Sequence, residues 1–128
     1  VTGTNGKTSV ANFFFQLFKL NKIRAASIGT LGIQSNLFKK KTNLTSPDPL
    51  LLHKSLSGLK KRGINNVVIE ASSHGLDQKR LNNITFKAAV FTNLSRDHLD
   101  YHKNMNNYLN SKIYLFNNLL NKKTPQVH

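Results

Sequence analysis

Cysteine is absent from the 128-residue chain, and this absence limits both its chemistry and its surroundings. Without thiols, the protein can form neither a disulfide framework nor a thiolate metal site. Nothing in the composition favours an oxidising compartment, so we expect the protein to work in a reducing cytoplasm.

Long apolar runs are missing as well. The longest, such as residues 13–15 and 50–52, are far shorter than the roughly 20 residues that a membrane-spanning helix requires. The chain also opens without the charged and then apolar pattern of a signal segment. We expect a soluble protein that does not associate with a membrane.

Acidic residues are scarce: five Asp and Glu stand against 19 Lys and Arg, which gives a formal net charge of +14. Such a charge is typical of proteins that bind nucleic acid or membrane surfaces. Here, however, the basic residues are spread over predicted helix ends and loops, without the interleaved aromatic side chains that stack on bases. We interpret them as a solvated basic surface and expect no nucleic-acid partner.

The hydrophobic pattern predicts alternating helices and strands, because apolar residues recur at helical spacing in some segments and β-branched or aromatic runs form others. This order predicts an α/β fold, with a parallel sheet and helices on both of its faces. The predicted helices span 7–20, 47–62 and 104–120, with a short helix or turn at 75–81; the predicted strands span 24–29, 66–71 and 86–92, with the end of a strand at 1–2 and the start of another at 124–128.

The segment Thr2-Gly3-Thr4-Asn5-Gly6-Lys7-Thr8 joins a predicted strand to a predicted helix. Its glycines allow main-chain amides to turn towards phosphate oxygens, its lysine can reach the β- and γ-phosphates, and its threonine hydroxyl can bind Mg²⁺. The match to the general phosphate-loop pattern is partial, because Val1 stands where the pattern has its first glycine. The alternative is a glycine turn that precedes Lys-Thr by chance. The flanking strand and helix favour a P-loop, and we therefore expect the parallel sheet to be that of a P-loop fold.

Glu70 closes the predicted strand 66–71, at the edge of a parallel sheet where ligands bind. It is a candidate Mg²⁺ ligand, and a carboxylate that only accepts hydrogen bonds from loop amides is the alternative. The loop that follows, residues 72–80, contains hydroxyls, an amide and a guanidinium. Such a loop suits the recognition of a sugar-phosphate or carboxylate substrate.

The segment 92–102 follows another predicted strand and contains His98 and His102, four residues apart. On a helix these two side chains would share a face and could bind zinc together with Asp97 or Asp100. We favour the hard cation Mg²⁺, because a P-loop implies Mg²⁺ with phosphate and because only imidazole and carboxylate ligands are available.

Five motifs appear in order along nearly the whole chain, at residues 2–8, 45–49, 70–78, 93–102 and 108–112. Together they resemble the central, ATP-binding domain of the Mur ligase family, in which the shorter P-loop form is usual. The first and last motifs are shared across that family and with folylpolyglutamate synthase. Ser-Ser-His-Gly-Leu-Asp-Gln and Asp-His-Leu-Asp-Tyr-His resemble the forms found in the tripeptide synthetases of the family.

The resemblance implies an ATP-dependent amide ligation in bacterial peptidoglycan synthesis. The D-Glu carboxylate of UDP-MurNAc-L-Ala-D-Glu is phosphorylated by ATP, and the amine of meso-diaminopimelate or L-lysine then attacks the acyl phosphate. The resemblance also implies the site residues: Gly3, Thr4, Asn5, Gly6, Lys7, Thr8 and Asn93 for ATP; Thr8, Glu70, His98 and a carbamylated Lys112 for Mg²⁺; Thr45, Ser46, Ser72, Gln78 and Arg80 for the muramoyl peptide; and Lys7, Glu70, His98 and Lys112 for catalysis.

By the same resemblance, we expect residues 1–128 to be an incomplete central domain, without the uridine-binding N-terminal and amino-acid-binding C-terminal domains. We expect a monomer in the bacterial cytoplasm. Two alternatives stay open: another Mur-type ligase such as folylpolyglutamate synthase, and a basic nucleic-acid-binding P-loop module whose binding would depend steeply on salt. The sequence leaves open which amino acid is added, because that choice lies in the C-terminal domain.

Overall fold

The structure is a computed structural model that describes residues 1–122. The strand predicted at 124–128 lies outside the described residues. The described chain forms two compact units: one contains Thr8–Glu70, and the other contains residues 1–7 and 71–122. Among the described residues, no helix has both the length and the apolar character needed to cross a membrane.

The unit Thr8–Glu70 contains two long helices and a four-stranded sheet. Helix α1 begins at Lys7, as the periodicity predicts, and its side chains Ala11 and Phe15 are buried. All five residues of β1 are buried, as expected for a central strand. The elements are α1 (Lys7–Leu20), β1 (Ala25–Gly29), β2 (Gly32–Ser35), β3 (Lys39–Lys40), α2 (Pro49–Lys61) and β4 (Asn66–Ile69), and the strand order in the sheet is β3-β2-β1-β4.

The sheet is mixed, whereas the sequence pattern predicted a parallel one. Strands β1 and β4 are parallel, as predicted, but β1 and β2 form an antiparallel hairpin with Gly29 opposite Gly32. The chain can reverse its direction between β1 and β2 because Gly32 has a φ of +84°, a conformation that glycine adopts without strain. A parallel neighbour would need a crossover connection of a dozen or so residues, which the short turn does not provide.

Helix α2 has the start and stop signals that the sequence indicated. The side chain of Asp48 accepts a hydrogen bond from the amide of Leu51 (3.0 Å), and Pro49 occupies the first turn. The helix ends before Gly63, which has a φ of +72° and whose amide donates to the carbonyl of Lys60 (3.0 Å). Buried Leu52 and Leu59 confirm the predicted apolar side.

The other unit is mainly helical, with α3 (Ser73–Asp77), α4 (Leu99–His102) and α5 (Met105–Tyr114), and α5 continues as a π-helical turn (Leu115–Leu119). The side chain of Asn104 caps α5 by accepting a hydrogen bond from the amide of Asn107 (2.8 Å). The predicted helix 104–120 is therefore confirmed, with a change of helix type in its last turn. The short helix α4 was not predicted.

The strand predicted at 86–92 is wrong as a continuous element. Only single bridges form there, between Thr2 and Phe91 and between Phe86 and Leu120, and both are parallel. Thr2 donates from its amide to Val90 (2.8 Å) and accepts from the amide of Thr92 (2.9 Å). The segment 86–92 therefore forms no continuous ladder with the described residues.

Candidate functional site

The glycine-rich loop, residues 2–7, contains two glycines with positive φ angles. Gly3 has a φ of +143° and Gly6 a φ of +83°, both in the region that favours glycine. A Cβ atom on Gly3 would lie 1.9 Å from Oγ1 of Thr92. The glycine is therefore required twice, by the backbone conformation and by the close approach of the neighbouring segment.

Residues 92–93 hold the glycine-rich loop in place. The amide of Thr4 donates to the carbonyl of Asn93 (2.9 Å), and the amide of Asn5 donates to Oδ1 of Asn93 (2.9 Å). Oγ1 of Thr92 donates to the carbonyl of Asn5 (2.6 Å). In this structure Asn93, a predicted nucleotide contact, therefore shapes the loop and engages two of its amides.

Two lysine ammonium groups converge on the same loop. Nζ of Lys7 donates to the carbonyls of Gly3 (2.9 Å) and Thr4 (2.8 Å). Nζ of Lys112, which comes from α5, donates to the carbonyl of Gly3 as well (2.9 Å). The side chain of Lys112 is only 1% exposed, unlike the many solvated lysines of this chain. Burial first, and the nearby Lys7 second, lower the pKa of Lys112 to about 8, although Asp97 opposes the shift.

Tyr108 lies beside Lys112 and is the first residue of the motif at 108–112, but no role in the site was predicted for it. It is fully buried, and its hydroxyl is 3.0 Å from Oγ1 of Thr4. Its ring centroid lies 4.2 Å from Nζ of Lys112. No local signal marks this tyrosine as part of a site, because its partner Thr4 is 104 residues away along the chain.

His98 precedes α4 in the left-handed conformation, with a φ of +52°. Its Nε2 atom lies 3.5 Å from Oδ2 of Asp97, and its ring packs edge-on against His74 at 5.0 Å. His102, in contrast, is buried. Within residues 1–122, no three His, Asp or Glu side chains are arranged to share a metal ion, so the zinc alternative is not supported.

In the unit Thr8–Glu70, a carboxylate and several hydroxyls converge. Oε2 of Glu70 accepts hydrogen bonds from Oγ1 of Thr8 (2.8 Å) and Oγ1 of Thr30 (3.2 Å), and Oε1 accepts from the amide of Thr30 (3.1 Å). Glu70 is 3% exposed. Gly29 makes room for it, since a Cβ atom there would lie 2.1 Å from Oε1 of Glu70. The structure thus brings together Thr8 and Glu70, as the sequence predicted, and adds Thr30.

Thr45 and Ser46 lie next to this carboxylate group. Oγ1 of Thr45 is 3.1 Å from Oγ1 of Thr30, and Oγ of the fully buried Ser46 donates to the main-chain carbonyl of Glu70 (2.9 Å). Ser46 therefore has a structural role in this structure, whereas Thr45 is partly exposed. Sequence reasoning missed Thr30, and its position directly after the strand-ending Gly29 is the signal that could have found it.

The remaining predicted substrate contacts lie around α3. Oγ of Ser72 accepts from the amide of Gly75 (3.0 Å) and caps this helix. The guanidinium of Arg80 donates to Oε1 of Gln78, and Nε2 of Gln78 donates to the hydroxyl of Tyr101 (3.3 Å). Gln78 and Arg80 are thus held as a pair at the end of the helix, where a planar guanidinium and an amide can recognise an anionic or carbonyl group.

A family profile described as the Mur ligase middle domain matches residues 1–127. The chain is 48% identical to a UDP-N-acetylmuramoyl-L-alanyl-D-glutamate--2,6-diaminopimelate ligase of Brucella melitensis and 49% identical to the ligase of the same name of Rhizobium meliloti, each over 99% of this chain and 26% of the relative. It therefore spans about a quarter of the length of these relatives.

A solved structure of a ligase of that name matches this fold with a TM-score of 0.80 at 41% identity, over 93% of this chain and 24% of the other. The match confirms the predicted α/β class, and the profile confirms the resemblance read from the motifs. The chain belongs to the Mur ligase middle-domain family.

Proposed function

We propose that this chain is the ATP-binding middle part of a ligase that adds the third amino acid to UDP-MurNAc-L-Ala-D-Glu. The observation that carries the proposal is the glycine-rich loop, on whose Gly3 carbonyl Lys7 and the buried Lys112 converge. The relatives are named diaminopimelate ligases, which favours meso-diaminopimelate over L-lysine as the added amino acid.

The residues of the loop suit the phosphates of ATP. Positive φ angles at Gly3 and Gly6 are typical of turns whose amides face an anion. Lys7 contributes a cation at the same turn, where its ammonium can exchange the carbonyls of Gly3 and Thr4 for phosphate oxygens. We assign Gly3, Thr4, Asn5, Gly6 and Lys7 to ATP, with Asn93 holding the loop in shape.

The hydroxyl of Thr8 and the carboxylate of Glu70 suit Mg²⁺, because hard cations prefer oxygen ligands. We assign both to this ion, and by the family resemblance alone His98 and Lys112 are assigned to Mg²⁺ as well. When bound, Mg²⁺ would offset the negative charge on the phosphates during phosphoryl transfer. Thr30 orients the carboxylate of Glu70 through two hydrogen bonds, so that Glu70 does not have to reorganise on binding.

Lys112 suits the role of a carbamylated lysine. A carbamate forms only from a neutral amine, and burial together with Lys7 lowers the pKa of Lys112 to about 8. The modification replaces an ammonium, which repels Mg²⁺, with an anion that can bind it. Its Nζ atom donates to the carbonyl of Gly3 over 2.9 Å, which places it at the glycine-rich loop.

Thr45, Ser72, Gln78 and Arg80 are assigned to the muramoyl peptide, and the buried Ser46 supports the segment that carries Thr45 through its hydrogen bond to the carbonyl of Glu70. In the reaction the D-Glu carboxylate attacks the γ-phosphorus of ATP and releases ADP. The amine of the amino acid then attacks the acyl phosphate, loses a proton and expels phosphate. We propose that uridine-binding and amino-acid-binding domains belong to the same longer protein, in keeping with the length of the relatives.

The experiment is a ligation assay on the full-length protein that contains this chain. ATP, UDP-MurNAc-L-Ala-D-Glu and either diaminopimelate or lysine are supplied, and phosphate release and the tripeptide product are measured. We expect phosphate release to require ATP, the muramoyl peptide and an amino acid together. We expect diaminopimelate to be used in preference to lysine. The 128-residue chain alone should bind Mg·ATP weakly and form no product, because it supplies only part of the ligand contacts.

Folylpolyglutamate synthase activity, assayed in parallel with a folate and glutamate, is the alternative outcome. Product from those substrates and none from the muramoyl peptide would overturn the proposal. Ligation by the isolated chain would contradict the proposed dependence on further domains.

A further inference from the structure

Tyr108 links the glycine-rich loop to the buried lysine. It is 0% exposed and lies on α5, four residues before Lys112 and therefore on the same side of the helix. Its hydroxyl contacts Thr4 and the face of its ring contacts Lys112. It has no predicted contact with ATP, with Mg²⁺ or with the muramoyl peptide.

The hydroxyl of Thr4 is the centre of a small hydrogen-bond group. Oγ1 of Thr4 accepts from the amide of Ser95 (3.0 Å) and lies within hydrogen-bond distance of the carbonyl of Ser95 (3.3 Å). The hydroxyl of Tyr108 lies 3.0 Å from the same Oγ1 atom, and either hydroxyl can be the donor in this contact. These contacts complete the hydrogen-bonding capacity of the threonine hydroxyl. Tyr108 thereby links α5 to the glycine-rich loop at Thr4.

The ring of Tyr108 forms one wall around the amine of Lys112. The amine lies 4.2 Å from the ring centroid and also donates a hydrogen bond to the carbonyl of Gly3. His102 packs against the same ring at 5.2 Å, which restricts the ring in turn. One buried side chain thus sets the position of two parts of the proposed site, the loop at Thr4 and the amine of Lys112.

We propose that Tyr108 is a positioning residue for the ligase reaction: its hydroxyl holds the phosphate-binding loop through Thr4, and its ring holds Lys112. The inference rests on the proposed function, since the loop and Lys112 matter only if they serve ATP and the transferred phosphoryl group. Tyr108 acts through these two residues and touches no reacting atom.

The test of the hydroxyl is Tyr108→Phe in the full-length protein, because phenylalanine keeps the ring and removes the hydrogen bond. We expect the KM for ATP to rise by between about threefold and tenfold, the range that corresponds to one hydrogen bond. The KM for the amino acid should stay unchanged. An unaltered KM for ATP would overturn the role of the hydroxyl.

A double-mutant cycle with Thr4→Val shows whether the effect passes through Thr4. If it does, the double variant should be no worse than the more damaging single variant, because both changes remove the same hydrogen bond. Additive losses would contradict the proposal. Tyr114→Phe is the matched control: it also removes a tyrosine hydroxyl on α5, which donates to Asn82 (2.9 Å), and should leave the KM for ATP unchanged.

The ring is tested with Tyr108→Leu. We expect kcat to fall by about a further tenfold relative to the phenylalanine variant, because leucine does not reproduce the flat wall beside Lys112 and the side chain loses its position. Equal kcat values in the two variants would overturn the role of the ring. If the full-length protein without substitutions ligates none of the substrates, the proposed function fails. The affinity of Tyr108→Phe for nucleotide, measured by titration, then still tests the effect of the hydroxyl on the loop.

Discussion

Lys7 and Lys112 donate hydrogen bonds to the same oxygen atom, the main-chain carbonyl of Gly3, each over 2.9 Å. One carbonyl does not neutralise two ammonium groups, and Lys112 is also buried. Both conditions disfavour the charged form, and the pKa of Lys112 falls to about 8. A lysine with an accessible neutral form is therefore placed at the glycine-rich loop.

The first prediction concerns the capture of CO₂ by Lys112 in the full-length protein without nucleotide or metal. With a pKa of about 8, the neutral fraction rises from about a tenth at pH 7 to about nine tenths at pH 9. At a fixed pressure of ¹³CO₂, the carbamate signal should rise through this window. Lys7→Met should move the rise to higher pH, because it removes the like charge.

The matched control is Lys60→Met, which removes an exposed lysine at the end of α2 and should leave the profile in place. A carbamate signal that rises only near pH 10, where ordinary lysines lose their proton, would contradict the lowered pKa.

The second prediction is that Lys112→Ala abolishes ligation in the full-length protein, because the anion formed at this position is lost. Added short carboxylates should partly restore activity by occupying the vacated position, and phosphate release measures both effects. Lys60→Ala serves as the control and should retain normal activity. Full activity of Lys112→Ala would show that this lysine has no part in the reaction.

The third prediction separates the two substrates at Arg80. Its guanidinium is held by Gln78 at the end of α3, and lysine cannot reproduce its planar arrangement of donors. Arg80→Lys should raise the KM for the muramoyl peptide by about tenfold or more and leave the KM for ATP nearly unchanged. Steady-state kinetics, with each substrate varied in turn, measure the two KM values. Equal increases in the KM for the muramoyl peptide and the KM for ATP would refute the assignment.

The fourth prediction compares two glycines. Gly3→Ala places a methyl group 1.9 Å from Oγ1 of Thr92 in a backbone conformation with a φ of +143°. It should lower the free energy of unfolding by about 1–3 kcal/mol and abolish ATP binding. Gly58→Ala, inside α2, meets only the flexible end of Arg62 at 3.3 Å and should instead stabilise the protein by about 0.5–1 kcal/mol.

Urea unfolding of both variants, with nucleotide titration, measures these effects. Normal ATP binding by Gly3→Ala would show that the loop does not need glycine at this position. A destabilised Gly58→Ala would show instead that Arg62 cannot move aside.

The helices and the loop were predictable because their signals are local. The periodicity of α1 and α2, the cap at Asp48 and the stop at Gly63 all depend on residues within a few positions of one another. The same holds for the glycine-rich loop, whose positive φ angles are set by Gly3 and Gly6 themselves. The family motifs are likewise continuous short segments.

The strands were predicted less well, because their existence depends on what lies beside them. The run at 86–92 has the composition of a strand but forms single bridges among the described residues, with Thr2 and with Leu120. Strand β2 was missed because four residues show too little alternation, and the hairpin at Gly29–Gly32 decides its direction. Thr30 was missed for a similar reason, since its partner Glu70 is 40 residues away.

The sequence by itself determined the class of fold, the ends of the main helices and the position of the glycine-rich loop, because the signals for each lie in neighbouring residues. Only the tertiary structure decided that Lys112, among 19 basic residues, is buried with its amine on Gly3, and that Tyr108 reaches Thr4. These contacts join residues more than 100 positions apart. Local spacing carries no information about such pairs, whereas packing of α5 against the loop fixes both.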